Sequence, residues 1–527
     1  MKCKLFRFLI DIHFRINISV ILTILAIPYL LSTLAAQEYN SLPNSLDNSV
    51  IIHGSVADKN TGTPLPYANI YAMKTGKGVI SNEKGLFTMD IGELADSDTI
   101  RFQYIGYKTL HATAAELRHD PDVLLEEEIF NLNETIVYGS MPDLVSIVKN
   151  VLVYKDSNYR KVTHQEQVFI RDRDMADLEQ MRINFRKSSI EQLDRKVIEG
   201  MEERFPKYMT SYNDFLGRVY YSANEEDSIR LKIEPIRAVS LKQEDMEVFE
   251  QMNTIFKSLV ENTGEDEYWK VRSGIFGDKL ELEEDDTTSM EVDSLKDFRT
   301  NVDLYRGKIG YQRRFSTFGD EDQWEFLHKT GRYKYSLVGG TRVNGEEVYI
   351  IDFIPKGNGR YEGRMFIASE TYALVRADFN YAEGKTGRDF HLLGLGYTEN
   401  QFDGSIYFEK REDTYQLKYF SFRQGSRVSV DRSVILKKKK ERWLFDKSLK
   451  ELKIGIEMIV NTRQSIEYLI LDQNRLSSEQ FHAFSQPEKM EIIYVDQFDE
   501  NLWRGYSIIE PTEQMREYRK QEVNFVE

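Results

Sequence analysis

Between residues 49 and 139 apolar and polar residues alternate along this chain. Phe87, Met89 and Ile91 alternate with Thr88 and Asp90, and Ile100, Phe102 and Tyr104 with Arg101 and Gln103. That period places one face of a strand on a core and the other in water. SVIIHGSVAD reads as an extended entry that reverses at KNTG, where Gly62 suits a turn, and SNEKG makes a later turn. Pro64 and Pro66 donate nothing to a ladder, so PLPYANIYA is expected to run along an edge before a strand from Ala68 to Met73. Gly106 in YIGY interrupts the alternation and is expected to mark a bulge or a close backbone approach.

Helical spacing follows. After Ser140 as N-cap, Leu144, Ile147, Val148 and Val151 form one apolar face. Ile190, Leu193, Val197 and Met201 predict a second helix, and Met246, Phe249, Met252, Ile255, Phe256 and Leu259 a third. From about residue 305 the period returns to two, with Val375, Ala377, Phe379 and Tyr381 on one face and Ile406 and Phe408 on another strand. Short turns at NGEE, GNGR, ASET and REDT favour an antiparallel meander. EVYIIDFIP is apolar on both faces, which suits a curved sheet covered by helices. Phe353, Phe366 and Phe379 are the inward aromatics that would line either a packed core or a ligand cavity.

The expected fold is therefore mainly β, with a small β-sandwich followed by an α+β domain built on a curved antiparallel sheet with packing helices. Lys2, Lys4, Arg7 and Arg15 precede the apolar run ISVILTILAIPYLL and LAAQ, the pattern of an export leader cleaved after Ala36. The organisation expected is a leader at 1–36, a linker at 37–48, the sandwich at 49–139, a helical and mixed part at 140–300, and a sheet part with a helical tail at 301–527.

With 86 Asp+Glu against 70 Lys+Arg among 527 residues, the formal charge of −16 repels phosphate backbones, so nucleic acid is not an expected partner. The one cysteine, Cys3, lies in the leader, which removes disulfides, thiol nucleophiles and Cys-ligated metals from the exported chain. No His-x-x-Glu, HExxH, Gly-x-Ser-x-Gly or phosphate-binding glycine loop occurs. Glu116/His119, Glu325/His328 and Glu479/His482 have Glu-x-x-His spacing, but the middle pair falls in WEFLH, expected to be a strand, where i and i+3 face apart. The acidic run Glu283, Glu284, Asp285 and Asp286 lacks the glycine of a calcium loop. No catalytic residue, cofactor or metal is expected. The compact basic run Lys437, Lys438, Lys439, Lys440 and Arg442, followed by Trp443, is a candidate contact for an anionic surface, or else a charged edge strand.

Gly54, Val56 and Asp58, then TGTPLPYANI, Gly78, Ser81, Gly85, Phe87 and YIGYK from Tyr104, resemble the carboxypeptidase regulatory-like domain. This is a transthyretin-like β-sandwich of exported proteins in Bacteroidetes-type bacteria. The resemblance implies a folding, docking or recognition module without catalytic residues. VYIIDFIPKGNGRYEGRMFIASETYALVRADF and DENLWRGYSIIEP are similar to the region after that domain in envelope proteins of the same bacteria, and the strand pattern resembles the half-barrel of periplasmic lipoprotein carriers. Together these imply an exported, non-enzymatic protein, periplasmic or outer-membrane associated, peripheral to any membrane it touches. It would act in binding, docking or assembly with an envelope protein, or alternatively as a carrier of a lipid-like ligand.

Overall fold

The computed structural model describes residues 50–130 (77 excepted), 143–241, 264–280 (265, 274 and 275 excepted), 301–442 (344 excepted) and 446–518 (504, 505 and 507 excepted). The leader, the linker, the boundary at 139, Ser140, the helix expected from Met246 to Leu259, the acidic run from Glu283 to Asp286 and Trp443 lie outside the described residues.

Seven short strands build the sandwich: β1 (Ile51–Asp58), β2 (Asn69–Ala72), β3 (Gly78–Ile80), β4 (Leu86–Asp90), β5 (Thr99–Gln103), β6 (Leu110–Thr113) and β7 (Val123–Leu125). They form sheets in the orders β4-β1-β7 and β3-β2-β5-β6. Alternation is the cause, since Phe87, Met89, Ile91, Ile100 and Phe102 are all at most 3% exposed. Gly106 stands in a turn rather than a bulge, with φ of 91° and the Tyr107 N–H donating to the Tyr104 carbonyl at 3.0 Å. A side chain there would be strained. Helix α1 (Ala114–His119), opened by the reciprocal cap of Thr113 and Glu116, buries Ala114 and Leu117 against the same core.

The remaining strands make one large, open, curved sheet. They are β8 (His164–Ser188), β9 (Tyr208–Tyr221), β10 (Leu231–Leu241), β11 (Glu267–Ser273), β12 (Phe276–Leu280), β13 (Tyr333–Val343), β14 (Glu346–Pro355), β15 (Tyr361–Ala368), β16 (Leu374–Tyr381), β17 (Asp389–Leu392), β18 (Leu395–Arg411), β19 (Thr414–Lys440), β20 (Lys447–Arg475) and β21 (Ile493–Val495). The order is β13-β14-β15-β16-β18-β19-β20-β8-β9-β10-β21, with β17 on β18 and β11 on β19. The sheet thus draws on both 140–300 and 301–527, because β20 closes on β8.

Residues opposed across an antiparallel ladder point to the same side. One row runs Phe353, Gly363, Phe379, Gly404, Phe422 and Ile466. It faces helices α2 (Leu144–Val153), α3 (Arg195–Arg204), α4 (Val302–Arg313) and the helical turn α5 (Glu325–His328), and is called here the helix face. The next row runs Ile350, Phe366, Arg376, Tyr407, Tyr419, Leu469 and Phe169, on the opposite side, where the sandwich docks. Phe366, expected inward with Phe353 and Phe379, therefore points to the other face, since it is an odd number of residues from the row of Gly363.

Two further expectations change. The residues from 302 are helical, started by Asn301, whose side chain accepts from the Asp303 and Leu304 N–H groups at 2.9 and 3.2 Å. WEFLH is a helical turn; Glu325, Phe326 and Leu327 are all buried, so no amphipathic period betrays it. On the helix face Phe326 stacks on Phe353 at 4.3 Å, and Trp324 lies 5.1 Å from Phe379. Phe315 lies 5.5 Å from Phe420. These rings touch the turn at Trp324 and Phe326 rather than Leu193, which belongs to a separate apolar cluster under α3.

Phe353→Ala or Phe379→Ala is expected to cost about 3–5 kcal/mol in urea unfolding, from lost transfer energy plus a void. A loss under about 1 kcal/mol at both would show that these rings border open space.

Candidate functional site

Beyond the aromatic core, β19, β20 and β8 run on together, and their register lays out the helix face residue by residue. Next to the aromatics comes a polar band. There Lys308 of α4 pairs with Asp172; on the other side of the aromatics Arg313 forks onto Glu166, one arm at 2.8 Å, while His164 Nε2 lies 2.9 Å from the same carboxylate. Burial pushes Glu166 up, but Arg313 and His164 outweigh it and hold the carboxyl below its usual range. Burial, followed by the nearby Asp172, raises Asp174, against the pull of Lys308. These pairs pin α4 to the sheet; removing one partner would strand a buried charge.

Two apolar rows follow. Leu395, Val430, Met458 and Met181 are successive partners, as are Tyr397, Val428, Val460 and Leu178. The β17–β18 hairpin extends both, placing Leu392 opposite Leu395 and Phe390 opposite Tyr397 with rings 5.7 Å apart. Val430, Met458 and Val460 are at most 5% exposed, whereas Phe390 and Leu392 are over 40% exposed, so the rows emerge from the interior at the hairpin. The turn itself is Leu393 and Gly394, both left-handed at φ 52° and 78°. That suits a two-residue hairpin but costs a leucine about 1–2 kcal/mol. A groove of about 420 Å³ lies beside the hairpin, lined chiefly by the next row, His391, Gly396, Ser429, Ile459 and Gln180, with Asp431 and Glu457, and so on the face opposite the apolar rows. That volume lies within the range of about 300–1,000 Å³ typical of small-molecule sites.

Past the rows, α3 closes the far end: Met201 and Ile198 pack with Trp269, Leu436, Leu452 and Ile454. Between this cluster and the apolar rows stands Arg432. It is 8% exposed and its row neighbours are Ile456 and Ile183. Nη1 donates to the Ser273 carbonyl at 3.4 Å, Nε has no partner, and no carboxylate among the described residues pairs with it. Burial alone moves its pKa, downward.

The opposite face holds the sandwich. Arg376 donates to Asp378 at 2.7 Å and to the Tyr104 hydroxyl at 2.9 Å, its guanidinium 4.4 Å from the Tyr104 ring centre. Tyr67, at φ 64°, stacks on Tyr419 at 4.6 Å. Leu502, Trp503, Ile508 and Ile509 wedge between the two units with Ile80, Phe169 and Leu469. Buried Arg171 binds Asp214 bidentately at 2.8 and 2.7 Å and the Ile509 carbonyl at 2.8 Å. Thr88 bonds Glu510, and Arg423 reaches Glu83 at 2.9 Å.

Residues 52–137 match the family described as CarboxypepD_reg-like domain. The CarboxypepD_reg-like domain is thus fastened to the sheet across an apolar and ionic junction. No curated protein matches the chain. Among solved structures, a LolA superfamily protein from Nitrosomonas europaea is 8% identical, covers 65% of this chain and 98% of its own, and has a TM-score of 0.17. The Pseudomonas aeruginosa MucA/MucB complex gives 10% identity, 60% and 94% coverage, and a TM-score of 0.16. At these scores nothing about a ligand or partner transfers to this chain.

Of the residues singled out in the sequence, Phe353 and Phe379 sit in the aromatic core and Phe366, 6% exposed, on the sandwich face. The basic run does not gather on one surface. It is paired on both sides, by β20 and β11, so it is no edge strand. Lys437 meets Glu451 at 3.1 Å and Lys438 meets Glu267 at 2.7 Å, while Lys440 lies 3.8 Å from Asp266. Arg442 is exposed just beyond the strand. Among the described residues no three His, Cys, Asp or Glu side chains gather as a metal site, and no helix is long and apolar enough to cross a membrane. Sequence reasoning missed Arg432, although VSVDRSVIL carried the signal: Val428, Val430, Val434 and Leu436 keep one parity, and an arginine occupies the place between them.

Glu467, on the sandwich face, gives a pH test. Burial pushes its carboxyl up to about 7, Glu83 and Asp214 adding to this and Arg171 and Arg423 opposing it. Between its unfolded value and 7 the folded chain keeps a proton that the unfolded chain has lost, so stability falls as pH rises through that window. Glu467→Gln is expected to stabilise the protein by about 1–3 kcal/mol at pH 8 and hardly at pH 5. Equal effects at both pH values in thermal unfolding would contradict this.

Proposed function

We propose that this protein is a non-enzymatic, exported envelope protein that holds the apolar chain of a lipid-like ligand on the helix face of its large sheet. The observation that carries this is the pair of apolar rows, shared by β17, β18, β19, β20 and β8, that begins buried at Val430 and Met458 and emerges at the exposed Phe390 and Leu392. An apolar chain lying on the hairpin would replace water at Phe390, Leu392 and Leu393, residues already preorganised by the ladder, at little ordering cost. The aromatic core beside α4 and α5 is packed, so the ligand belongs to the distal strands and not beneath those helices. The CarboxypepD_reg-like domain, on the opposite face, supports the sheet and leaves the apolar rows free.

A second use of the same hairpin is favoured by the exposure of Phe390, Leu392 and Leu393, each over 40%. These side chains suit docking of another envelope protein, the assembly role also drawn from the sequence.

Native mass spectrometry of the purified protein separates the two. The carrier role predicts a dissociable lipid mass, or its uptake after incubation with a total lipid extract, lost in Leu392→Asp and Leu395→Asp while the far-ultraviolet dichroism persists. A bare mass under both conditions would overturn it in favour of docking.

A further inference from the structure

On the face that carries the sandwich, the ladder leaves one charge unanswered. The sandwich reaches β19 at Arg423, which meets Glu83 at 2.9 Å, and the groove beside the β17–β18 hairpin lies further along that strand, at Ser429 and Asp431. Here Asp431 of β19 stands directly opposite Glu457 of β20, and Glu457 opposite Arg182 of β8. Like charges opposed across a ladder repel. Glu457 has its donors, Arg182 Nη1 at 3.3 Å and Asn184 Nδ2 at 2.9 Å. Asp431 has none. Its backbone N–H donates to the Gly394 carbonyl at 2.7 Å, which fixes it against the hairpin turn, but its exposed carboxylate makes no hydrogen bond or ion pair among the described residues. Other cations of this face are engaged: Arg427 forks onto Glu179, one arm at 2.8 Å, and His391 Nε2 lies 3.4 Å from Asp389.

The groove of about 420 Å³ opens on this acidic pair. Gly396 lines it, and a Cβ there would stand 2.3 Å from Ser429 Oγ and 2.4 Å from His391 Nδ1, so glycine keeps the space open. Leu392 and Leu393, 46% and 51% exposed, border it on the hairpin side. We infer that this groove takes a lysine or arginine side chain from an extended segment of a partner protein. The cation lies against Asp431 and Glu457, and its aliphatic stem rests on the two leucines, as long cationic side chains do on apolar surface. Charge complementarity selects this occupant: an anion would add to the repulsion already present, and a neutral apolar group would leave Asp431 unanswered. The inference rests on the docking use of the hairpin and supplies its partner chemistry. It lies on the face opposite the apolar rows and does not depend on the apolar-chain role.

The test is equilibrium titration of the full exported chain, followed by fluorescence anisotropy, with three labelled peptides blocked at both ends: Leu-Lys-Leu-Lys-Leu, the same peptide with norleucine in place of lysine, and the same with glutamate. The lysine peptide is expected to bind roughly tenfold more tightly than the norleucine peptide at low salt, with the advantage shrinking in about 0.5 M salt, and the glutamate peptide most weakly. Asp431→Asn is expected to cut the lysine advantage to within about twofold while melting no lower than the wild type, since it removes a like-charge pair. General attraction of a basic peptide to a chain of formal charge −16 would survive that substitution, so an advantage left intact in Asp431→Asn would overturn the site. Equal affinity for the lysine and norleucine peptides, lost for both in Leu393→Asp, would overturn the cation site and leave the docking use of the hairpin standing. Binding of none of the three would overturn both. If Asp431→Asn does not fold, Glu457→Gln and the wild-type ratio decide.

Discussion

The constraint on which this structure depends is the continuous antiparallel register of β8, β20 and β19, strands of 25, 29 and 27 residues. Once Phe422 is opposed to Ile466 and Ile466 to Asp172, each side chain on the three strands is committed to one face, because a slip by one residue would exchange the faces. β-Bulges, such as the one where Glu179 is passed over between Gln180 and Leu178, shift the count of one strand without breaking the match of faces. The same ladder therefore sets the aromatic core, the polar band, the apolar rows and the place of Arg432, in that order along β19.

Covering such long strands is a different matter. α4 is held by two buried ion pairs near one end, and α3 lies over the cluster of Leu436 and Leu452 near the other. Between them the apolar rows are bounded by the β17–β18 hairpin, whose tip keeps Leu393 in a strained conformation. On the opposite face, the CarboxypepD_reg-like domain with Leu502, Trp503, Ile508 and Ile509 takes up apolar residues that the sheet would otherwise expose. A helix-covered face and a domain-covered face leave the hairpin as one place where apolar surface meets solvent.

Much of the sandwich was legible because period-two alternation reports a half-buried strand directly, and Phe87 through Phe102 obey it. The helix at Leu144–Val153 was legible for the same kind of reason, an apolar stripe on one side. WEFLH was not, because a helical turn buried on all sides carries no periodic signal. Phe366 was misplaced because β15 is apolar on both faces, so burial alone did not reveal which way it pointed. The lysine run read as an edge strand because the partner at Glu267–Ser273 is far away in sequence, and pairing between distant segments leaves no local mark. The site lay hidden for a related reason: its rows are assembled from five strands, each contributing two ordinary apolar residues.

The most direct test of a site on this face is photo-crosslinking with a C16 fatty acid carrying a diazirine near the end of its tail, followed by peptide mapping. Labels on the peptides that hold Val428–Val430 and Met458–Val460, competed away by unlabelled palmitate, are the predicted result. Labels confined to the sandwich or to the aromatic core around Trp324, or label insensitive to competition, would contradict the account.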